Sequence, residues 1–423
     1  MELIEAKRLA VGLVSPREVE WVGLEDGLGR VLAETMTADR DLPGESRSRL
    51  DGFALRSPDT VEASPQSRII LKVLPGLLAA GHASMPERRI GPGECIRILT
   101  GAPVPHGADG VVAQEDVVFR EDLLTLERNV EHGNGVAFRG EEIREGDLIL
   151  SGGEILTPTR LALLAAVGLD RIPVYRQPRV ALLATGDEVK ELGQMLDGPW
   201  TFCNNRYLLA WLIRVHGGVP IHLGVAGDDA ATIAGKLRGT EADLVITTGG
   251  IGRGDRDFVL DAWEMIGVRT FFRQINLAPG RNSGLGQAGD QVFCALPGNP
   301  WGAQVVFEEL VAPMLRRCQG LEAYRNPSIA AILEKPLKKK KGVVKAIRGS
   351  LDVQTSPPSF SPLTGKDGPL FAALRNNFAY TLLEAHVVEI PAGGIITVHL
   401  NDFPLLAAPV FGLCRAGRER STV

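Results

Sequence analysis

Short apolar runs alternate with amphipathic stretches across residues 175–320. Compact apolar runs are typical of buried strands, whereas apolar residues at three- and four-residue spacing are typical of helices. The pattern predicts strands at 180–184, 220–225, 244–247, 270–275 and 292–295, and helices at 206–216, 230–237, 258–266 and 302–316. Because strands and helices alternate, we expect an α/β domain with a doubly wound, mostly parallel sheet.

The flanking regions have a different pattern. Gly and Pro clusters between residues 42 and 135 separate short apolar runs at 69–73, 95–99, 110–113 and 123–126. Beyond residue 330, similar runs stand at 343–347, 385–390 and 395–400. These patterns predict a small β domain before the α/β domain and a β barrel or sandwich after it. Helical spacing is found at the start of the chain, from Leu3 to Leu13, and again over 161–167.

The composition is that of an ordinary globular protein, with 44% hydrophobic and 23% charged residues. The longest proline-free apolar stretch, 161–169, is far shorter than the ~20 residues needed to span a bilayer. No leader pattern is visible at the N-terminus, so we expect a cytoplasmic protein without a membrane segment. The five cysteines form no CxxC pair and the histidines show no metal-ligand spacing, so we expect reduced thiols and no histidine-ligated metal.

The charge is unevenly distributed. A formal net charge of −5 argues against a nucleic-acid binder, whose affinity rests mainly on phosphate contacts. Residues 330–350 nevertheless hold six lysines and one arginine against a single glutamate. Such a run is most often a solvated edge, and its alternative is an electrostatic funnel for an anionic ligand.

Distinctive polar loops follow the predicted strands of the α/β domain. They are Thr185-Gly186-Asp187-Glu188, Gly227-Asp228-Asp229, the segment 248–257 and Leu296-Pro297-Gly298-Asn299-Pro300. Ligands of open α/β sheets bind beyond the carboxyl ends of the strands, so these loops should share one rim. Glycines let backbone N–H groups approach a ligand and a helix N-terminus favours an anion, so the rim suits a phosphate or pyrophosphate. The glycines at 250, 252 and 254 have neither the P-loop nor the dinucleotide-binding spacing.

The same rim is predicted to be acidic, with Asp187, Glu188, Asp228, Asp255 and Asp257. Carboxylates repel a phosphate unless a cation lies between them, and Mg²⁺ held by one or two carboxylates and the phosphates is the usual arrangement. Helix capping is the competing interpretation for the aspartates, because Asp is a preferred N-cap residue. Glu188 fits capping less well, which favours a functional role.

Two polar stretches of the early β region, 42–54 and 97–109, complete the set of unusual segments. Each stretch taken alone is best interpreted as a turn. Taken with three of the rim loops and with residues 139–143, they supply six sets of residues in a fixed order. The sets are Arg47-Ser48 with Asp51-Gly52-Phe53-Ala54; Thr100 to Pro105 with Gly107-Ala108-Asp109 and Gln114-Glu115; Arg139 to Ile143; Thr185 to Glu188; Thr248-Gly249-Gly250 with Gly254-Asp255 and Asp257-Phe258; and Leu296 to Pro300.

Together these sets resemble the molybdopterin molybdenumtransferase family, which includes the E domain of gephyrin, over nearly the whole chain. The resemblance implies a multidomain α/β and β protein with four domains. They are an elongated, discontinuous N-terminal domain (1–41 plus 134–172), an inserted small β domain (42–133), a doubly wound molybdopterin-binding domain (173–325) and a C-terminal β barrel (326–423). It also implies a homodimer whose active site combines the doubly wound domain of one subunit with the early β domain and linker of the other.

The reaction implied by the resemblance is insertion of molybdate into adenylylated molybdopterin, with hydrolysis of the pyrophosphate bond and release of AMP. The implied catalytic residues are Asp51, Thr100, Glu142, Glu188, Asp228 and Asp257. Glu188, Asp228 and Asp257 would hold Mg²⁺, while Asp51 and Glu142 would act from the partner subunit. The implied ligand-binding residues are Thr185, Gly186, Asp187, Thr248, Gly249, Gly250, Asp255, Arg281, Pro297, Gly298, Asn299, Pro300 and Arg348. Arg281 and Arg348 would anchor molybdate or phosphate, and the molybdopterin adenylyltransferase and cofactor-receiving enzymes would be protein partners.

The chain departs from the family pattern at several positions. The family's Lys-Pro-Gly-Lys-Pro run becomes Ala278-Pro279-Gly280-Arg281-Asn282, so one lysine is lost and the other is an arginine. Cys203 replaces an acidic residue, and Gly252, Trp301 and Gly302 replace other family residues. Most of these changes remove anion or substrate contacts. Two alternatives therefore stay open beside molybdate insertion, namely a tungstate-inserting paralogue and a catalytically weak pterin-binding or scaffold protein.

Overall fold

The computed structural model describes residues 1–81, 89–195, 197–251, 258–322, 327–363 and 379–401. Gly252, Asp255 and Asp257 therefore lie outside the described residues. The chain forms two compact units. The larger comprises Met1–Ala33, Gly153–Leu156 and the described part of Ile172–Val423, and the smaller comprises Glu34–Gly152 and Thr157–Arg171.

The larger unit begins with helix α1 (Leu3–Gly12), where the spacing predicted a helix. Glu2 and Glu5 form a capping box at its N-terminus, and Leu3, Ala6 and Ala10 form its buried face. Strand β1 (Val19–Gly23) follows.

The smaller unit is built mainly of strands, as predicted for 42–135. They are β2 (Met36–Thr37), β3 (Arg47–Ser48), β4 (Gly52–Leu55), β5 (Ile69–Leu78), β6 (Glu94–Ile98), β7 (Gly110–Ala113), β8 (Val118–Arg120), β9 (Leu123–Leu126), β10 (Val136–Ala137) and β11 (Leu148–Leu150), followed by helix α2 (Pro158–Ala166). Six of them form one sheet in the order β7-β4-β6-β5-β9-β8. All four residues of β4 are buried, because apolar clusters cover both faces of the sheet there.

The larger unit continues with alternating strands and helices. They are β12 (Arg171–Tyr175), which pairs with β1, β13 (Arg179–Thr185), β14 (Val189–Lys190), β15 (Thr201–Phe202), α3 (Asn204–Val215), β16 (Val219–Ala226), α4 (Ala230–Leu237), β17 (Leu244–Thr248), α5 (Phe258–Met265), β18 (Arg269–Phe272), β19 (Leu277–Ala278), β20 (Gly284–Ala288), β21 (Gln291–Leu296), α6 (Pro300–Val306), a π-helical turn (Phe307–Val311) and α7 (Ala312–Cys318).

The predicted doubly wound sheet is confirmed, in the order β16-β13-β17-β21-β20-β18. Strands β16, β13, β17 and β21 are parallel neighbours, and β20 is antiparallel to both of its neighbours. All residues of β17 and all but the first of β13 are buried, which is why these strands have continuous apolar runs rather than alternation.

Strand β20 has no counterpart among the predicted elements. Its glycines argue against a strand in the sequence, but a Cβ at Gly286 would lie 2.6 Å from Val268 Cγ1. The glycine is therefore required by the close approach of a neighbouring segment. The predicted strand 270–275 is also shorter than expected, since β18 ends at Phe272.

The predicted helix 302–316 is confirmed and is longer, because α6, the π turn and α7 are continuous. Pro313 lies in the first turn of α7 and has no N–H to donate, which is consistent with the interrupted α-helical ladder before it. The π turn buries Glu308 and Glu309, which are each 1% exposed.

The described residues from 327 onwards form the predicted barrel. Its strands are β22 (Ser328–Leu333), β23 (Leu337–Lys338), β24 (Val344–Asp352), β25 (Ser359–Pro362), β26 (Ala379–Leu383), β27 (Glu389–Ile390) and β28 (Ile395–Leu400). The circuit β24-β25-β22-β28-β26 closes through pairing of β26 with β24. The strand predicted at 385–390 was wrong, because β26 ends at Leu383 and only the two residues of β27 pair beyond it.

One apolar core joins several parts of the larger unit. It combines Ala6 and Ala10 of α1 with one face of the doubly wound sheet, the helix 300–318, and Val344 and Tyr380 of the barrel. A second apolar cluster covers the other face of the sheet. None of the helices in the described ranges has the length and apolar character that crossing a bilayer requires.

Candidate active site

A cavity of about 380 Å³ lies at the carboxyl ends of the parallel strands. Its lining includes Thr185, Gly186, Glu188, Asp228, Thr248, Gly249, Gly250 and Gly298. The prediction that the four loops share one rim is thus confirmed. Strand β13 lies between β16 and β17, so the cavity is at the point where the strand order reverses, which is the usual ligand site in open α/β sheets.

The floor of the cavity depends on glycines with positive φ. Gly249 has φ +92° and Gly250 has φ +58°. A Cβ at these positions would lie 2.7 Å from the Thr185 carbonyl oxygen and 2.9 Å from Thr185 Oγ1, respectively. Thr185 is itself buried and its hydroxyl donates to the Thr248 carbonyl oxygen at 3.2 Å. The close packing of these two loops leaves no room for side chains and brings the backbone to the cavity surface.

The acidic residues of the rim divide into two groups. Glu188, which is exposed, and Asp228, which is half-buried, both border the cavity. Asp229 is the N-cap of α4, where its Oδ2 accepts the Thr232 N–H at 2.7 Å and hydrogen bonds from Thr232 lower the pKa of Asp229. Asp187 Oδ1 accepts the Asp228 N–H at 3.0 Å and so links the first two loops. Capping therefore explains Asp229 but not Asp228 or Glu188.

Metal binding was predicted at Glu188, Asp228 and Asp257. Within the described residues, no three His, Cys, Asp or Glu side chains are grouped as ligands for a metal ion. Glu188 and Asp228 nevertheless supply two carboxylates to one cavity, and one or two carboxylates together with ligand phosphates are the donor set that Mg²⁺ uses. The residues present therefore fit a magnesium ion bound together with a phosphate ligand.

The start of α3 contributes cavity residues that the sequence analysis did not identify as site residues. Asn204 and Asn205 line the cavity with Cys203. Asn205 Nδ2 donates to the Gly298 carbonyl oxygen at 2.7 Å, while its buried Oδ1 has no hydrogen-bond partner in the part of the chain that the structure describes. The sequence could have identified these two residues as site residues, because they stand at the start of a predicted helix that faces the predicted loop rim.

Cys203 is held beneath this rim by polar contacts. Its Sγ donates to Glu191 Oε2 at 3.2 Å, and the same carboxylate pairs with the buried Arg206. Burial raises the pKa of the Cys203 thiol, with the Glu191 contact adding to the effect. The Cys203 thiol is therefore less acidic than an ordinary cysteine, and the four described cysteines are all buried and free of disulfides.

The loop 296–300, which follows β21, reaches the cavity through one residue. Gly298 borders it, whereas the Asn299 side chain caps α6 by accepting the Gly302 N–H at 3.1 Å. Pro300 is buried at the first position of α6, where proline is favoured, and Pro297 precedes the turn.

The two expected cationic anchors lie elsewhere in the larger unit. Arg281 is exposed and lines a second cavity of about 440 Å³ together with Ala278. Ala278 pairs with Lys345 across the parallel ladder of β19 and β24. The Arg348 guanidinium lies 5.9 Å from the ring centroid of Trp301. The structure therefore does not bring Arg281 and Arg348 into the lining of the first cavity.

In the smaller unit, the structure brings Asp51 and Thr100 together. Asp51 Oδ1 accepts the Thr100 backbone N–H at 2.7 Å and its hydroxyl at 2.8 Å. These two bonds hold the pKa of Asp51 below its ordinary value, with the backbone bond as the larger cause. Glu142 is exposed, and its backbone N–H donates to the Leu42 carbonyl oxygen at 3.0 Å.

This geometry is that of an α/β protein with a glycine-rich cavity, bordered by two carboxylates, at the edge of its sheet where such folds bind their ligands. The chain matches two family models, described as "MoeA N-terminal region (domain I and II)" over residues 1–168 and "Probable molybdopterin binding domain" over residues 181–317.

Several known proteins are similar over most of their length. A molybdopterin molybdenumtransferase of Bacillus subtilis (strain 168) is 31% identical over 403 residues, covering 94% of this chain and 93% of that protein. One of Haemophilus influenzae is 32% identical over 389 residues, covering 90% and 94%. The crystal structure of a molybdopterin biosynthesis MoeA protein from Pyrococcus horikosii aligns with a TM-score of 0.83 at 28% identity, covering 95% of this chain and 98% of that one. The chain belongs to the molybdopterin molybdenumtransferase family.

Proposed function

We propose that the protein inserts molybdate into adenylylated molybdopterin and releases AMP, as a step of molybdenum cofactor biosynthesis. The observation that carries this proposal is the convergence of Glu188, Asp228 and the glycine loops on one cavity at the reversal point of the sheet. Backbone N–H groups at these loops and at the start of α3 favour a phosphate, and the adjacent carboxylates suit a reaction at a pyrophosphate bond. The relatives described above are named transferases, so the scaffold alternative is not favoured.

The pterin nucleotide would bind along the rim loops. Thr185, Gly186, Thr248, Gly249, Gly250 and Gly298 would contact it, and Asp187, Asp255, Pro297, Asn299 and Pro300 would shape the same loops. Glu188, Asp228 and Asp257 would hold Mg²⁺, which when bound neutralises phosphate charge and polarises the phosphoryl oxygens. Glu188 is exposed at the cavity, so its carboxylate can also position the attacking water.

Three residues of the smaller unit complete the proposed catalytic set. Asp51 is oriented and kept ionised by the two hydrogen bonds from Thr100. Glu142 presents an exposed carboxylate. In a homodimer, which is part of the proposal, these residues would act from the partner subunit. Arg281 and Arg348 would bind the oxyanion before its transfer, and we propose a cytoplasmic location, where the four buried thiols stay reduced.

The test is release of AMP from adenylylated molybdopterin by the full-length protein with Mg²⁺, while molybdate and tungstate are titrated in parallel. We expect turnover that depends on molybdate. Turnover that depends on tungstate alone would mean that tungstate, and not molybdate, is the substrate. Tight binding of the adenylylated pterin with no turnover on either oxyanion would contradict the transferase proposal.

A further inference from the structure

Asn205 is the second residue of α3 and joins this helix to the loop 296–300. Its Nδ2 donates to the Gly298 carbonyl oxygen at 2.7 Å, across a separation of 93 residues in the sequence. Asn205 is only 7% exposed. Because Asn205 and Gly298 both line the first cavity, their hydrogen bond lies at the cavity wall.

The amide of Asn205 is a poor choice for stability alone. Its Oδ1 is buried and has no hydrogen-bond partner among the residues that the structure describes. A buried acceptor that is left unsatisfied costs at least as much free energy as an ordinary hydrogen bond contributes. Leucine would fill the position without burying a polar group and is the better helix former. A polar side chain at this position therefore favours a role in ligand binding.

Other carbonyl oxygens of the rim loops also accept hydrogen bonds from within the protein. The Thr248 oxygen accepts the Thr185 hydroxyl at 3.2 Å. The Leu296 oxygen accepts the Gly249 N–H at 3.1 Å. A carbonyl oxygen that accepts an internal bond directs its partial negative charge at that donor, so the engaged carbonyls repel an anion in the cavity less. For Gly298, the donor is a side chain.

Gly298 lies at the floor of the cavity, against the glycine loop after β17. A Cβ at Gly298 would lie 3.6 Å from the Gly249 Cα, so the two loops are in contact. If the donor from Asn205 were removed, the Gly298 carbonyl oxygen would be left without it beside a bound phosphate. Dipoles that are fixed before the ligand arrives cost no reorganisation when it binds, and the hydrogen bond from Asn205 fixes this one.

We propose that Asn205 is a positioning residue, which holds the Gly298 carbonyl oxygen away from the ligand and so sets the affinity of the first cavity for a phosphate group. This role rests on the proposed function, in which the phosphates of the pterin nucleotide bind at the rim loops. Asn205 would then determine recognition of the phosphate, and not of the nucleoside attached to it.

The experiment is calorimetric titration of AMP, and separately of adenosine, into the full-length protein with Mg²⁺. The two ligands differ only in the phosphate, so the comparison isolates its recognition. Asn205→Leu removes the amide, and Asn205→Asp keeps the shape but replaces the donor with a carboxylate oxygen. Asn134→Leu is the matched control, because Asn134 Nδ2 also donates to a backbone carbonyl oxygen, that of Val111, at 2.7 Å. Thermal unfolding checks that each variant folds, and Asn205→Ala replaces Asn205→Leu if the latter does not.

We expect Asn205→Leu to weaken AMP binding by roughly tenfold and to leave adenosine binding within about twofold of the wild type. Asn205→Asp should weaken AMP binding further, because its carboxylate repels both the Gly298 carbonyl oxygen and the phosphate. Asn134→Leu should bind both ligands as the wild type does. An unchanged AMP affinity in Asn205→Leu, or an equal loss of AMP and adenosine binding, would overturn the positioning role.

Failure of this role can be told apart from failure of the proposed function. A wild-type protein that binds AMP no more tightly than adenosine would refute phosphate recognition at the rim loops, and the role of Asn205 with it. A wild-type protein that prefers AMP, with the same preference in Asn205→Leu, would overturn the role of Asn205 alone.

Discussion

Gly249→Ala tests whether the cavity floor depends on close contact between two loops. Gly249 has φ +92°, and a Cβ there would lie 2.7 Å from the Thr185 carbonyl oxygen and 3.2 Å from Thr185 Oγ1. Ordinary van der Waals contact begins at 3.4 Å, so the new methyl group must push one loop away from the other. Both loops line the cavity, and the displacement therefore changes the binding surface as well as the stability.

The expected cost has two parts. A left-handed backbone costs alanine about 1–2 kcal/mol relative to glycine. Overpacking against a backbone atom that cannot rotate away adds about 1–3 kcal/mol. Gly239→Ala is a control that isolates the first part, because Gly239 has φ +72° and no heavy atom within 4 Å of the position of its Cβ. Gly249→Ala should therefore destabilise the protein by about 1–3 kcal/mol more than Gly239→Ala does.

Guanidinium unfolding of both variants, followed by circular dichroism, measures this difference in stability. Binding of AMP measures the functional consequence, and we expect a loss of about tenfold or more for Gly249→Ala only. If Gly249→Ala were as stable as Gly239→Ala and bound AMP as the wild type does, the loops would not be in the close contact described here. The proposed role of the glycines in forming the ligand surface would then be refuted.

Substitutions at four other positions test the remaining site assignments. Glu188→Ala should abolish AMP release while the unfolding midpoint stays the same, because the side chain is exposed at the cavity; normal turnover would remove Glu188 from the site. Asp229→Ala should lower the unfolding midpoint through loss of the α4 cap and retain AMP release, and an inactive but equally stable variant would contradict the capping role. Thr100→Val should raise the pKa of Asp51 toward its ordinary value of 3.8, as measured by NMR titration of the carboxyl carbon. Because the pKa of Asp51 is lowered in the folded protein, the associated stabilisation is present above pH 3.8 and is lost as the pH falls through the folded-state pKa. An unchanged pKa of Asp51 in the Thr100→Val variant would exclude the Thr100 hydroxyl as a cause of the shift. Ala278→Lys should raise molybdate affinity by roughly fivefold in equilibrium dialysis, and no change would mean that another cation already supplies this charge.

The main architecture was predictable because its determinants are local. Strands buried on both faces are mostly apolar, so the runs in β13 and β17 are recognisable from composition alone. Helix ends are similarly predictable from single residues, such as the positive-φ glycines at 217 and 239 that follow α3 and α4. Once the strands are known to be parallel, their following loops must meet at one edge. The sequence therefore determined the fold class and the loops that form the cavity.

Tertiary structure decided the features that depend on contacts between distant segments. Asp228 and Asp229 are adjacent and chemically identical. Asp229 caps α4 because its carboxylate meets the Thr232 N–H, whereas Asp228 borders the cavity. Strand β20 depends on the space beside Gly286, which the 268–269 segment fills.

The placement of Arg281 and Arg348 away from the first cavity likewise depends on how the barrel packs on the sheet. A sequence pattern records the backbone preference and burial of each residue, whereas these features are set by which side chains meet in space. For this protein, the sequence alone determined the fold class and the rim loops, and the tertiary structure determined which residues act together.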